Sequence, residues 1–151
     1  MKSLRSILLA EDNERDVELT LEALSEHNLA NGVVVVRDGA EALDYLFCRG
    51  QYKTRDSGHP AVVLLDLKMP KVDGLEVLRQ LKADEKLKVV PVVMLTSSRE
   101  EQDIIRGYEL GVNAYVVKPV NFREFIAAVK QLGVFWALVN ERPPAGDGAA
   151  R

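Results

Sequence analysis

The sequence predicts a doubly wound α/β fold on a five-stranded parallel sheet, and two observations carry that expectation. Five short runs rich in β-branched residues or leucine alternate with longer amphipathic segments, and the runs are continuously apolar instead of alternating in polarity. Strands and helices taken in turn require right-handed crossovers within one sheet. Unbroken apolar strands belong to sheets covered on both faces.

The elements follow in order. Residues 6–10 form the first run, and Val17, Leu21 and Leu24 then repeat at helical spacing. Residues 33–37 form the second, followed by Ala42, Leu43 and Leu46. Residues 49–60, with Gly50, Asp56, Ser57, Gly58 and Pro60, read as a long polar loop. The third run, 62–65, leads to Leu75, Leu78 and Leu81, and the fourth, 92–95, to Ile104, Tyr108 and Leu110. The fifth, 114–117, precedes Phe125, Val129 and Leu132. Cys48 falls on the second helical pattern as a small packing residue. Lys82, Lys86 and Lys88, with Asp84 and Glu85 among them, read as a solvated helix end.

A chain of 151 residues is long enough for one core and too short for two comfortable domains. Apolar residues at 47% and charged residues at 28% give the balance of a soluble globular protein. A net charge of −3 argues against a nucleic-acid surface, which needs a concentrated basic patch. The single cysteine cannot form an internal disulfide and fits a reducing, cytoplasmic setting. The apolar start is too short for a signal peptide, and no stretch approaches membrane-spanning length. Residues 5–139 are expected to form the domain, and 140–151, beginning near Pro143-Pro144, a disordered or weakly ordered tail.

In an open parallel sheet the working crevice lies beyond the carboxyl ends of the strands. Glu11 and Asp12 follow the first run, Asp66 the third, Thr96 the fourth and Lys118-Pro119 the fifth. Each alone reads as a helix cap or a solvated loop residue; Asp12 or Asn13 would cap the first helix. Together they place three carboxylates, a hydroxyl and an amine at one edge. Two carboxylates about 4 Å apart repel by roughly 4 kcal/mol at an effective dielectric of 20, so they protonate or recruit a cation. All-oxygen ligands suit Mg²⁺. Zinc is disfavoured, because His27 and His59 lie far apart and no Cys/His cluster exists. A carboxylate beside Mg²⁺ can attack phosphorus to give an acyl phosphate, with the cation, Lys118 and Thr96 neutralising the equatorial oxygens.

Leu8-Leu9-Ala10-Glu11-Asp12-Asn13, Leu64-Leu65-Asp66-Leu67-Lys68-Met69-Pro70, Asp73-Gly74, Leu95-Thr96-Ser97-Ser98 and Val117-Lys118-Pro119 resemble the receiver domains of two-component response regulators. The resemblance runs from about Ser6 to Val139. It implies a flavodoxin-like fold with strand order 2-1-3-4-5, and Asp66 as acceptor of a phosphoryl group from a histidine kinase. It also implies Mg²⁺ held by Glu11, Asp12, Asp66 and the backbone carbonyl of Lys68, and a cis Lys118–Pro119 peptide. Thr96 and Tyr115 match the family's switch pair, whose alternative reading is a strand tyrosine with its hydroxyl at the surface. Lys68 and Ser98 fall where the family tunes access of water to the acyl phosphate.

No output module is recognisable after the last helix, so the signal would be read by a partner protein or by self-association. Phe122, Phe125, Val129, Leu132, Trp136 and Val139 follow the spacing of one buried face, while Phe135 and Leu138 fall off it. Phe122, Phe135, Trp136 and Leu138 are therefore a candidate homodimer interface, the alternative being a wide core face. Residues 43–50, the loop before Pro60 and Phe135-Trp136 resemble single-domain regulators paired with bacterial phytochromes, which implies a light-sensing kinase. Three other readings compete. A relay to a histidine phosphotransferase keeps the fold and changes the role. A dehalogenase-like phosphatase would place an acid where Lys68 stands. A degenerate receiver would lack active-site side chains that are all present here. No GxxxxGK loop supports nucleotide hydrolysis.

Overall fold

The computed structural model describes residues 6–25, 32–55, 58–97 and 114–132. Within them the order is β1 (Ile7–Ala10), α1 (Glu14–Ser25), β2 (Val33–Val36), α2 (Gly39–Leu46), a 3₁₀ turn (Gly50–Tyr52), β3 (Val62–Asp66), α3 (Gly74–Lys82), β4 (Val92–Thr96), β5 (Ala114–Val117) and α4 (Phe122–Leu132). The five strands pair in parallel in the order β2-β1-β3-β4-β5, the predicted topology. His27, Ser98, the pattern at Ile104, Tyr108 and Leu110, and everything from Gly133 onward lie outside the described residues, including Phe135, Trp136, Leu138 and the tail.

Neighbouring residues of a strand serve opposite faces, which is why the apolar runs are unbroken. Leu8 and Ala10 of β1 join a cluster with Leu43, Leu46, Leu78, Leu81 and Met94, under α2 and α3. Ile7 and Leu9 join Val17, Leu24, Phe125 and Val129, under α1 and α4. The three central strands are buried throughout. The two edge strands are not: β2 buries only Val36 fully, and Val117 of β5 is exposed. An edge strand lacks one neighbour, so its apolar sequence does not guarantee cover.

Two strands run one residue further than their apolar sequence suggests. Asp66 closes β3 opposite Leu95, and Thr96 closes β4 opposite Val117. The ladder uses backbone groups, so a polar side chain does not end it. Helix starts carry the expected side-chain caps. Asn13, Asp38, Asp73 and Asn121 each accept a hydrogen bond from the backbone N–H three residues on, at 2.7–3.0 Å.

Cys48 lies just past α2 and not on it. It sits at φ 55° in the left-handed region, and the Cys48 and Arg49 amides donate to the Tyr45 and Asp44 carbonyls in a Schellman closure. The described part of the 49–60 segment is also more ordered than a polar loop. Tyr52 packs edge-on against Tyr45 at 5.0 Å and donates to Glu41 Oε2 at 2.7 Å. Burial, then that carboxylate, pushes the Tyr52 hydroxyl up to about 12. The Arg55 guanidinium lies 4.0 Å from the Tyr45 ring centre. Lys82 is likewise more than a solvated helix end, because its ammonium donates to the Lys88 and Val90 carbonyls.

Candidate functional site

Parallel pairing puts the carboxyl ends of β1, β3, β4 and β5 along one edge, and the sequence loads that edge with polar groups. Glu11, immediately after β1, is fully buried, and Asp66, the last residue of β3, is nearly so. Asp12 is exposed beside them, and carboxylate oxygens of Glu11, Asp12 and Asp66 lie within 4.8 Å of one another. Lys118 follows β5, its amide donating to the Thr96 carbonyl at 2.7 Å, and the Lys118–Pro119 peptide is cis. The Lys118 ammonium reaches back 3.2 Å to Glu11 Oε1, 3.1 Å to Asp66 Oδ1 and 3.0 Å to Asp16 Oδ2.

The β3–α3 loop is fixed from both ends. The Gly74 amide donates to the Leu67 carbonyl at 2.8 Å, and a Cβ on Gly74 would meet the Asp66 carbonyl oxygen at 2.2 Å. Lys71 takes a φ of 70°, and its ammonium lies 3.5 Å from Asp38 at the start of α2. The loop thus turns tightly around the backbone of Asp66, with Lys68 exposed on it.

The electrostatics are those of an anion-rich crevice. Burial, then the charge on Asp66, raises the Glu11 carboxyl to about 7, against the pull of Lys118. Burial also raises Asp66, opposed by Lys118. Burial works against the charge on Lys118, yet its bond to Asp16 and the carboxylates of Asp66 and Glu11 hold it above the ordinary lysine range. Four carboxylates around one ammonium leave negative charge uncompensated, and hard oxygen donors at this spacing fit a divalent cation. Thr96 Oγ1 is fully buried at the same edge and has no hydrogen-bond partner among the described residues. A buried hydroxyl without a partner suits an incoming acceptor such as a phosphoryl oxygen.

A model of the response regulator receiver domain matches residues 7–130 of this chain. The chain belongs to the response regulator receiver family. Response regulator Rcp1 of Synechocystis sp. is 40% identical to this receiver over 130 residues, 86% of this chain and 87% of that one. Among solved structures, the bacteriophytochrome response regulator AtBRR is 66% identical with a TM-score of 0.86, covering 93% of this chain and 100% of that one. RtBRR, another bacteriophytochrome response regulator, is 59% identical with a TM-score of 0.84, covering 97% and 89%. The Mn²⁺-bound form of Rcp1 is 39% identical with a TM-score of 0.70, covering 93% and 99%. Receivers are signalling proteins that bind a divalent metal, and the acidic cluster of this receiver is where such an ion fits.

The receiver fold therefore brings Glu11, Asp12, Asp66, Thr96 and Lys118 to one edge. Tyr115 lies two residues before Val117, whose partner in the ladder is Thr96, so Tyr115 and Thr96 are diagonal neighbours across β4 and β5. Phe122 is half-buried against the α1–α4 cluster, where it also lines a groove of about 600 Å³ with Leu19, Ala23 and Val120. Sequence reading missed Asp16. No local spacing marked it, because Asp12 precedes α1 and Asp16 meets Lys118 from 102 residues away in the chain. Among the described residues no helix is long and apolar enough to cross a membrane.

Proposed function

We propose that this receiver is phosphorylated on Asp66 by a partner histidine kinase with Mg²⁺, and that the modified state is read through a changed surface. One observation carries the reading: the buried Asp66 carboxylate meets the Lys118 ammonium at 3.1 Å on an edge that also holds Glu11, Asp12 and the Thr96 hydroxyl, which has no partner among the described residues. An Asp66 oxygen attacks the phosphorus of the donor. The new P–O bond forms as the bond to the donor nitrogen or oxygen breaks, and its electron pair leaves with the donor. Lys118 and Thr96 are placed to meet the charge on the transferring oxygens. Mg²⁺, held by Glu11, Asp12, Asp66 and the Lys68 carbonyl, would supply charge neutralisation and an anchor for the phosphoryl group.

Movement of the Thr96 hydroxyl toward the phosphoryl group vacates space that the Tyr115 ring can enter, so the two act as the switch. The output is carried by a cytoplasmic homodimer formed around α4, with Phe122, Phe135, Trp136 and Leu138 at the contact. The receiver occupies residues 5–139, and 140–151 is a tail. Identities of 66% and 59% to bacteriophytochrome response regulators support a phytochrome-class kinase as partner.

Intact mass after incubation with acetyl phosphate tests the chemistry. A single phosphoryl adduct is expected with Mg²⁺, none with EDTA, and none for Asp66→Asn, whose near-isosteric side chain keeps the fold. An unmodified wild-type protein would remove the phosphoacceptor role.

A further inference from the structure

The ammonium of Lys118 has three N–H donors, and three carboxylates occupy them: Glu11 at 3.2 Å, Asp66 at 3.1 Å and Asp16 at 3.0 Å. Asp16 stands apart from the three-carboxylate cation cluster, which is Glu11, Asp12 and Asp66. Its position in the first turn of α1 is fixed by the backbone. The Asp16 amide donates to Asn13 Oδ1 at 2.9 Å, and the Thr20 hydroxyl donates to the Asp16 carbonyl at 2.8 Å. The backbone that carries the carboxylate is thereby fixed, and the carboxylate itself accepts from Lys118.

A phosphoryl oxygen on Asp66 needs one of those N–H donors, and the three present acceptors do not give it up at equal cost. Glu11 is fully buried and cannot exchange the ammonium for water. Asp66 carries the phosphoryl group itself. The Asp16 side chain is 27% exposed and can exchange the ammonium for water.

Resting on the phosphoacceptor reading of Asp66, we propose that Asp16 competes with the phosphoryl group for the Lys118 ammonium and so weakens the phosphorylated state. Asp16 is a positioning residue, acting through Lys118 without touching the reacting atoms. It makes the ammonium's turn toward Asp66 an exchange of ion pairs instead of a simple gain.

Equilibrium affinity for beryllofluoride, a tetrahedral stand-in for the phosphoryl group, tests this in the presence of Mg²⁺. Asp16→Asn should bind about three- to tenfold more tightly than wild type, tenfold being about 1.4 kcal/mol. Asp16→Glu, which restores the charge, should return toward wild type. In a Lys118→Ala background, Asp16→Asn should have a much smaller effect, because the competition runs through the lysine. Asp16→Asn affinity equal to or weaker than wild type would overturn the proposal. So would an equal gain without Lys118, which would mean simple repulsion between Asp16 and the anion. Asp16→Ser is the second variant, and failure of both neutral variants to fold would assign Asp16 to the fold and overturn the proposal as well. A wild-type protein that binds no beryllofluoride would bring down the Asp66 reading first, and this one with it.

Discussion

Thr96 and Glu11 are buried polar residues whose situations lead to opposite expectations. Among the described residues Thr96 Oγ1 has no hydrogen-bond partner, so it bears the cost of leaving water without a bond in return. Thr96→Val should leave the unmodified fold as stable, or more stable by up to about 1 kcal/mol. It should also lower the equilibrium yield of acyl phosphate, and denaturant unfolding with intact mass checks both. Glu11 titrates near 7 in the fold against 4.5 as the reference value, because of burial and then Asp66. Between those values the native state keeps a proton that the unfolded chain has released. The Glu11 contribution to stability is therefore complete below about pH 4.5 and lost as the pH rises through 7. Asp66, also raised, acts in the same direction. In EDTA, the wild-type melting temperature measured against that of Glu11→Gln should fall across this window. A difference that stays constant with pH would contradict the assignment.

At the scale of the element, the β3–α3 loop is the tightest-built part of the site. A methyl on Gly74 would have to displace the Asp66 backbone, so Gly74→Ala should cost about 1–3 kcal/mol. It should also weaken Mn²⁺ binding, read by titration of the folded variant, because the displaced strand end carries a ligand. Asp73-Gly74 was legible as part of the family resemblance, but the closeness of Gly74 to Asp66 was not, since no local pattern records which backbone a glycine faces. The same division runs through the other elements. The parallel sheet and its central strands followed from apolar runs, because a strand between two others must be apolar on both faces, while the strand order came from the family resemblance. Edge strands β2 and β5 carry equally apolar sequence with less cover, because exposure there depends on what lies beyond the sheet. Cys48 was misplaced onto α2 because a Schellman closure usually announces itself with glycine. Asp16 was missed because its partner, Lys118, lies 102 residues away in the chain.

For the whole molecule, the site's charge imbalance links cation binding to global stability. A ligand that binds only the native state stabilises it by about 2.7 kcal/mol at a hundredfold excess over its dissociation constant. Mg²⁺ should raise the unfolding free energy of wild type in that logarithmic way. Asp12→Asn, which alters an exposed ligand and no core contact, should shift the dependence to higher Mg²⁺. Equal Mg²⁺ curves for the two proteins would separate the acidic cluster from the cation.

Lys118 and Glu11 stand 107 residues apart in the chain, with Asp66 between them. As the polypeptide emerges from the ribosome, the acidic residues and the acceptor aspartate are made long before their lysine exists. The crevice gains the Lys118 ammonium only when the last strand docks beside the fourth. Balancing the charge of the site is therefore among the last events of synthesis and folding.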